Sequence, residues 1–153
     1  MNRRTVTAGT AVTALLLLTG GQAANAATTS FTIHELNDQG ARTFTSEIPN
    51  CTSGTWMDDV QLQAPAGQPN QSHSSRIDLI IHTVYTCDGG GSILVTKEDH
   101  MVFGETSLTG AGPFRITGGT GDLAGISGHG VDVGTFVYDT QQGDATITGV
   151  LTG

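Results

Sequence analysis

Between Arg115 and Val131 the chain reads RITGGTGDLAGISGHGV, with six glycines in seventeen residues. A helical glycine costs about 1 kcal/mol relative to alanine, because its backbone has the most freedom to lose. At positions 118, 119, 121, 125, 128 and 130 the glycines follow too closely for a helix to persist. What fits is a strand entering as GPFRITGG, a sharp turn at GTGDLAG, and a second strand leaving as ISGHGVDVGTFVY. Leu123 then plugs the end of a core, and Gly118, Gly119, Gly121, Gly125 and Gly128 serve as turn and bend positions. Glycines placed this way let a strand curve strongly or another backbone come close, which is how a small barrel turns a corner.

Three chemical readings of the same stretch fail. Gly119, Gly121 and Ala124 satisfy GxGxxA, but that dinucleotide fingerprint needs a helix after the turn. The calcium nonapeptide GGxGxD is missed by one place, with Leu123 where aspartate is required, and a single copy would not stack into a β-roll. Gly125, Ile126, Ser127 and Gly128 begin GxSxG, but His129 follows and no helix comes after, so Ser127 reads as a turn residue. No cofactor is expected.

The rest of the chain has no helical periodicity after its N-terminal segment. It offers eight short β-rich runs: SFTIHEL, RTFTSEI, GTWMDDVQLQ, RIDLIIHTVYTC, SILVTKEDHMVF, GPFRITG, GVDVGTFVYD and DATITGVL. That spacing predicts an all-β, antiparallel sandwich or barrel. CDGGGS and DTQQGD read as tight hairpins, and APAGQPNQSHSS, Ala64 to Ser75, as a long loop. In the run from Arg76 to Cys87, alternation puts Ile77, Leu79, Ile81, Thr83, Tyr85 and Cys87 on one apolar, inward face. His82 falls on the other.

The first 26 residues carry Arg3 and Arg4, an apolar run centred on Leu15 to Leu18, and the small-residue end Ala24-Asn25-Ala26. This reads as a secretory signal cleaved after Ala26, leaving one domain over 27–153 and a secreted product. The apolar run is too short for a membrane span. Without Arg3 and Arg4, four basic residues face fourteen acidic ones, and the four are scattered. With no basic patch to neutralise phosphates, nucleic acid is not an expected partner, and neither is a membrane. In an oxidising compartment the two cysteines, Cys51 and Cys87, are expected to pair.

Few residues could carry chemistry. Lys97 to His100, KEDH, is the densest ionisable run. In one register Lys97 and Asp99 face inward with Ile93 and Val95; in the other, Glu98 and His100 do, and these two are the candidate acid–base pair. Either register sets a carboxylate and a basic group roughly 7 Å apart on one face. Trp56, Tyr85 and Arg115 are candidate ligand contacts: an aromatic ring at a barrel mouth stacks on ligand rings, and Arg115 suits a ligand carboxylate. Asp58 and Asp59 are adjacent, so in a strand they face apart. The five histidines show neither HxH nor HExxH spacing, and no metal site is expected.

The stretch ITGGTGDLAGISGHG resembles the turn motif of the allene oxide cyclase and dirigent superfamily, and more closely that of bacterial secreted proteins described as allene-oxide-cyclase-like barrels. The likeness is specific over Ile116 to Gly130 and looser through VYTCDGGGS and CTSGTW. It implies an eight-stranded antiparallel barrel with an elongated apolar cavity, oligomeric in many plant members. It also implies a small hydrophobic or phenolic ligand, with cyclase, isomerase or dirigent-type steering as the chemistry. The matching residues belong to a structural turn, so no catalytic residue is carried over. SGTW is also similar to the first-strand GxW of lipocalins and avidins, over three residues only. The competing expectation is a non-enzymatic interaction protein, its barrel packed shut and its acidic loops turned to a partner. Ionisable and aromatic side chains converging on an open cavity favour the container.

Overall fold

Period-two alternation, punctuated by glycine, sets the strands. In the computed structural model, which describes residues 28–62 and 76–152, they are β1 (Thr29–Asp38), β2 (Ala41–Ser46), β3 (Ser53–Leu62), β4 (Arg76–Cys87), β5 (Ser92–Phe103), β6 (Ser107–Thr120), β7 (Gly128–Val137) and β8 (Gln142–Leu151). The segment read as a secretory signal and the loop Ala64 to Ser75 lie outside the described residues.

Each strand pairs antiparallel with the next, and β1 pairs with β8 from Thr29↔Leu151 to Asp38↔Gln142, closing an eight-stranded barrel. Closure leaves no unpaired sheet edge. The clearest expected face is confirmed: Leu79, Ile81, Thr83, Tyr85 and Cys87 are buried, and His82 is exposed. β6 is longer than the run GPFRITG suggested, beginning five residues earlier at Ser107. Gly110 and Gly112 hide that part of the strand, since glycine has little intrinsic preference for a pleated surface.

The glycine-rich corner closes one end of the barrel. A single 3₁₀ turn, Gly121–Leu123, joins β6 to β7, and Leu123 is buried as expected. Gly121 and Gly125 take left-handed φ of +62° and +82°, a region costly for other residues. A Cβ at Gly119 would stand 2.4 Å from the Leu123 carbonyl oxygen, so only glycine lets the turn fold back this closely. Just before it, the β5–β6 register slips between Leu94↔Gly118 and Val95↔Ile116, a bulge at Thr117 that sharpens the bend.

The same end carries the Cys51–Cys87 disulfide, with Cα atoms 5.0 Å apart. It ties the β2–β3 connection to the end of β4. Around it Phe31, Ile33, Phe44, Ile93, Phe114 and Ile147 form the apolar core. No helix among the described residues is long and apolar enough to cross a membrane.

A charged layer beneath an open mouth

Halfway up the lumen the apolar filling stops. The inner face of β1 continues from Phe31 and Ile33 to Glu35, and that of β5 from Ile93 and Val95 to Lys97 and Asp99. Glu35, Lys97, Asp99 and Asp132 are all buried, at 6%, 2%, 5% and 4% exposure. β5 lies four strands round from β1, so Lys97 reaches across the lumen from the opposite wall. Its Nζ is 2.7 Å from Glu35 Oε1 and 3.1 Å from Asp132 Oδ2 on β7. The Tyr85 hydroxyl donates to the same Glu35 oxygen. On β3, Asp58 sits opposite Thr83 and accepts its hydroxyl at 2.6 Å.

This layer has a surplus of negative charge: four carboxyl groups, from Glu35, Asp58, Asp99 and Asp132, around one ammonium. Burial disfavours their ionised forms. It pushes Asp99 up to about 7, assisted by Asp132 and only partly opposed by Lys97. Asp132 and Asp58 are raised by the same burial, against Lys97 in the first case and the Thr83 hydrogen bond in the second. Burial alone would lower Lys97, but Glu35 and Asp132 outweigh it and hold the ammonium above its ordinary value. Tyr85 is raised well above its ordinary value by burial and by Glu35, so it stays a hydrogen-bond donor. Two oxygens, Asp99 Oδ1 and Asp132 Oδ1, are buried without a hydrogen-bond partner.

Above the layer the lumen opens as a cavity of about 340 Å³. Its floor is Glu35, Asp58, Lys97, Asp99 and Asp132; its walls include Trp56, Met101, Leu108 and Phe136. The space exists because inward positions there carry almost no side chain: Gly110 on β6, Gly134 on β7, Gly143 and Ala145 on β8. The Trp56 indole N–H donates to the Thr43 carbonyl at 3.1 Å, and the Arg42 guanidinium lies 4.9 Å from its ring centroid. The tryptophan is therefore fixed from both sides at the rim.

The residues expected from the sequence divide. Trp56 lines the cavity and Tyr85 lies beneath its floor. Glu98 and His100 do not enter: β5 takes the register that sends Lys97 and Asp99 inward, and both members of the candidate pair stand exposed outside. There His100 bonds Asp78 at 2.6 Å. Arg115 is also on the outer face, between Phe114 and Ile116, which both point in, so it cannot meet a ligand in the lumen. Glu35 and Asp132 were not singled out, and Asp58 was weighed only beside Trp56 and, with Asp59, as a poor metal pair. Glu35 had a signal, since it falls in phase with Phe31 and Ile33. Asp132 had none, because its flanking residues Val131 and Val133 look like the inward ones and are 56% and 58% exposed. Among the described residues no group of acidic, histidine or cysteine side chains is arranged to hold a metal ion.

Comparisons with protein-family models, with curated proteins and with solved structures find no match to this chain.

Proposed function

We propose that this protein is an exported container for a small molecule, of the allene-oxide-cyclase-like type that its glycine-rich turn resembles. The observation that carries the reading is the convergence of ionisable side chains from four strands on one open cavity of about 340 Å³. That volume falls in the range of small-molecule sites, as does the mix of apolar walls with a few placed polar groups. The competing reading, an interaction protein packed shut, asks for a filled interior, and the mouth half of this one is open.

The floor also suits proton-transfer chemistry of the isomerase or cyclase kind. A carboxyl poised near 7 gives and takes a proton at neutral pH. The Lys97 ammonium beside it stabilises developing negative charge, and the walls hold a substrate in one conformation.

Native mass spectrometry of the protein recovered from its own culture fluid tests the container. A co-purifying small molecule is expected, lost when Ala145→Trp fills the cavity. A barrel that is empty whenever it is isolated would overturn the reading.

A further inference from the structure

The floor of the cavity is short of positive charge, with four carboxyl groups around one lysine. Its one ammonium, Lys97, is engaged with Glu35 and Asp132. The nearby guanidinium of Arg42 stands over Trp56 at the rim. Asp99 and Asp132 each keep an oxygen that is buried and without a hydrogen-bond partner, on side chains only 5% and 4% exposed. Buried carboxylate oxygens are costly without a donor. Asp99 Oδ1 packs beside Gly112, where a Cβ would stand 2.8 Å from it and 2.0 Å from the Glu98 carbonyl oxygen. Above it rise the apolar walls, Met101, Leu108 and Phe136.

We propose that the ligand of this cavity is an organic amine, its protonated nitrogen seated on Asp99 and Asp132 and its apolar or aromatic body lying between Phe136 and Trp56. This deepens the container reading and rests on it. An ammonium supplies several N–H donors and a positive charge together, which matches a floor where Asp99 and Asp132 line the cavity and carboxyl groups outnumber the one lysine. A carboxylate-headed ligand such as a fatty acid meets the opposite: four carboxyl groups and a lysine already bonded. An alcohol can satisfy one oxygen but leaves the charge uncompensated.

The groups facing Asp99 define how binding depends on pH. They are Glu35 from β1, Asp58 from β3, Lys97 on its own strand and Asp132 from β7. The flanking strands contribute Leu79, its β4 partner, and the adjacent Gly112 of β6, neither of which titrates. With Asp99 near 7, the site is a full anion only above neutrality. Amine affinity therefore rises with pH between about 6 and 8, while the amine itself stays protonated.

The test is calorimetric titration of the intact, disulfide-bonded protein with 2-phenylethylamine, 2-phenylethanol and phenylacetate, at pH 6 and pH 8. The amine is expected to bind at least about tenfold tighter than the alcohol at pH 8, to weaken at pH 6, and to lose about tenfold with Asp99→Asn. Asparagine keeps the shape and removes a costly buried charge, so this variant should fold, as circular dichroism will verify. Phe136→Ala, at the wall, gives a second readout by weakening amine and alcohol alike. Equal binding of amine and alcohol, preference for phenylacetate, binding of none, or an amine affinity indifferent to pH and to Asp99→Asn would each overturn the amine assignment. The container reading is judged separately, by what co-purifies.

Discussion

The two halves of the lumen use one device to opposite ends. Both have glycine at inward positions of β6, β7 and β8. In the closed half, a Cβ at Gly130 would stand 2.7 Å from the Phe114 ring, and one at Gly149 would stand 2.8 Å from Phe114 and 3.1 Å from Phe31. The two rings, 6.0 Å apart and edge to face, fill the space the glycines vacate. In the mouth half, the nearest side-chain atoms to Gly110 and Gly112 are Met101 Sδ and Asp99 Oδ1. A flexible thioether and a carboxyl do not fill the gap, and a cavity of about 340 Å³ remains. Glycine on an inner face thus creates room, and the residue facing it decides whether that room becomes core or site.

The largest expected effect separates the halves by stability. Phe114→Ala empties the glycine-lined space and should cost about 3–5 kcal/mol in urea unfolding. Phe136→Ala, at the rim of a cavity that already exists, should cost about 1 kcal/mol or less. Equal losses would mean that the mouth half is packed like the closed one. The layer between them is nearly as sensitive. Lys97→Met takes the counter-charge from buried Asp132 and leaves Glu35 only the Tyr85 hydroxyl, with an expected loss of about 3–5 kcal/mol at neutral pH that shrinks in acid, as the two carboxyls take up protons. Replacing Cys51 and Cys87 together by alanine should cost about 2–4 kcal/mol by releasing the 36-residue loop. That loss should leave the ligand affinity of the mouth half unchanged, as calorimetry can check.

The same contrast explains what the sequence disclosed. The closed half was legible: its strands carry apolar residues in phase, and its corner carries glycines no helix tolerates. The mouth half was not, because its inward residues are charged or absent and so mimic a solvated face. β5 offered apolar residues on both faces, Ile93 and Val95 on one, Leu94 and Val102 on the other, so alternation alone could not choose between Lys97 with Asp99 and Glu98 with His100. On β7 the pattern pointed the wrong way, with valines outward and Asp132 inward. Hydropathy reports what water avoids, and a cavity floor holding four carboxyl groups breaks that rule by design of its neighbours, chiefly Lys97 and Tyr85.

The effect spread most thinly, a slope and not a single loss, is the most diagnostic of the mouth half. Asp99 is pushed up to about 7 in the folded barrel, from an ordinary 3.8. Between about pH 4 and pH 7 the native state therefore holds a proton that the unfolded chain has released. Stability must fall as the pH rises through that window, with a slope approaching about 1.4 kcal/mol per pH unit for this one group. Asp58 and Asp132 are raised as well and add to the same sign, so Asp99→Asn should reduce the slope without abolishing it. Phe114→Ala should lower the whole curve and leave its slope intact, since Lys97, the partner of Phe114 on β5, keeps its proton throughout this range. Urea midpoints measured at half-unit intervals from pH 4 to pH 7.5 check all three. If Asp99→Asn leaves the slope untouched, Asp99 is ionised and hydrated in the native barrel, and the buried charged layer that divides the two halves does not exist.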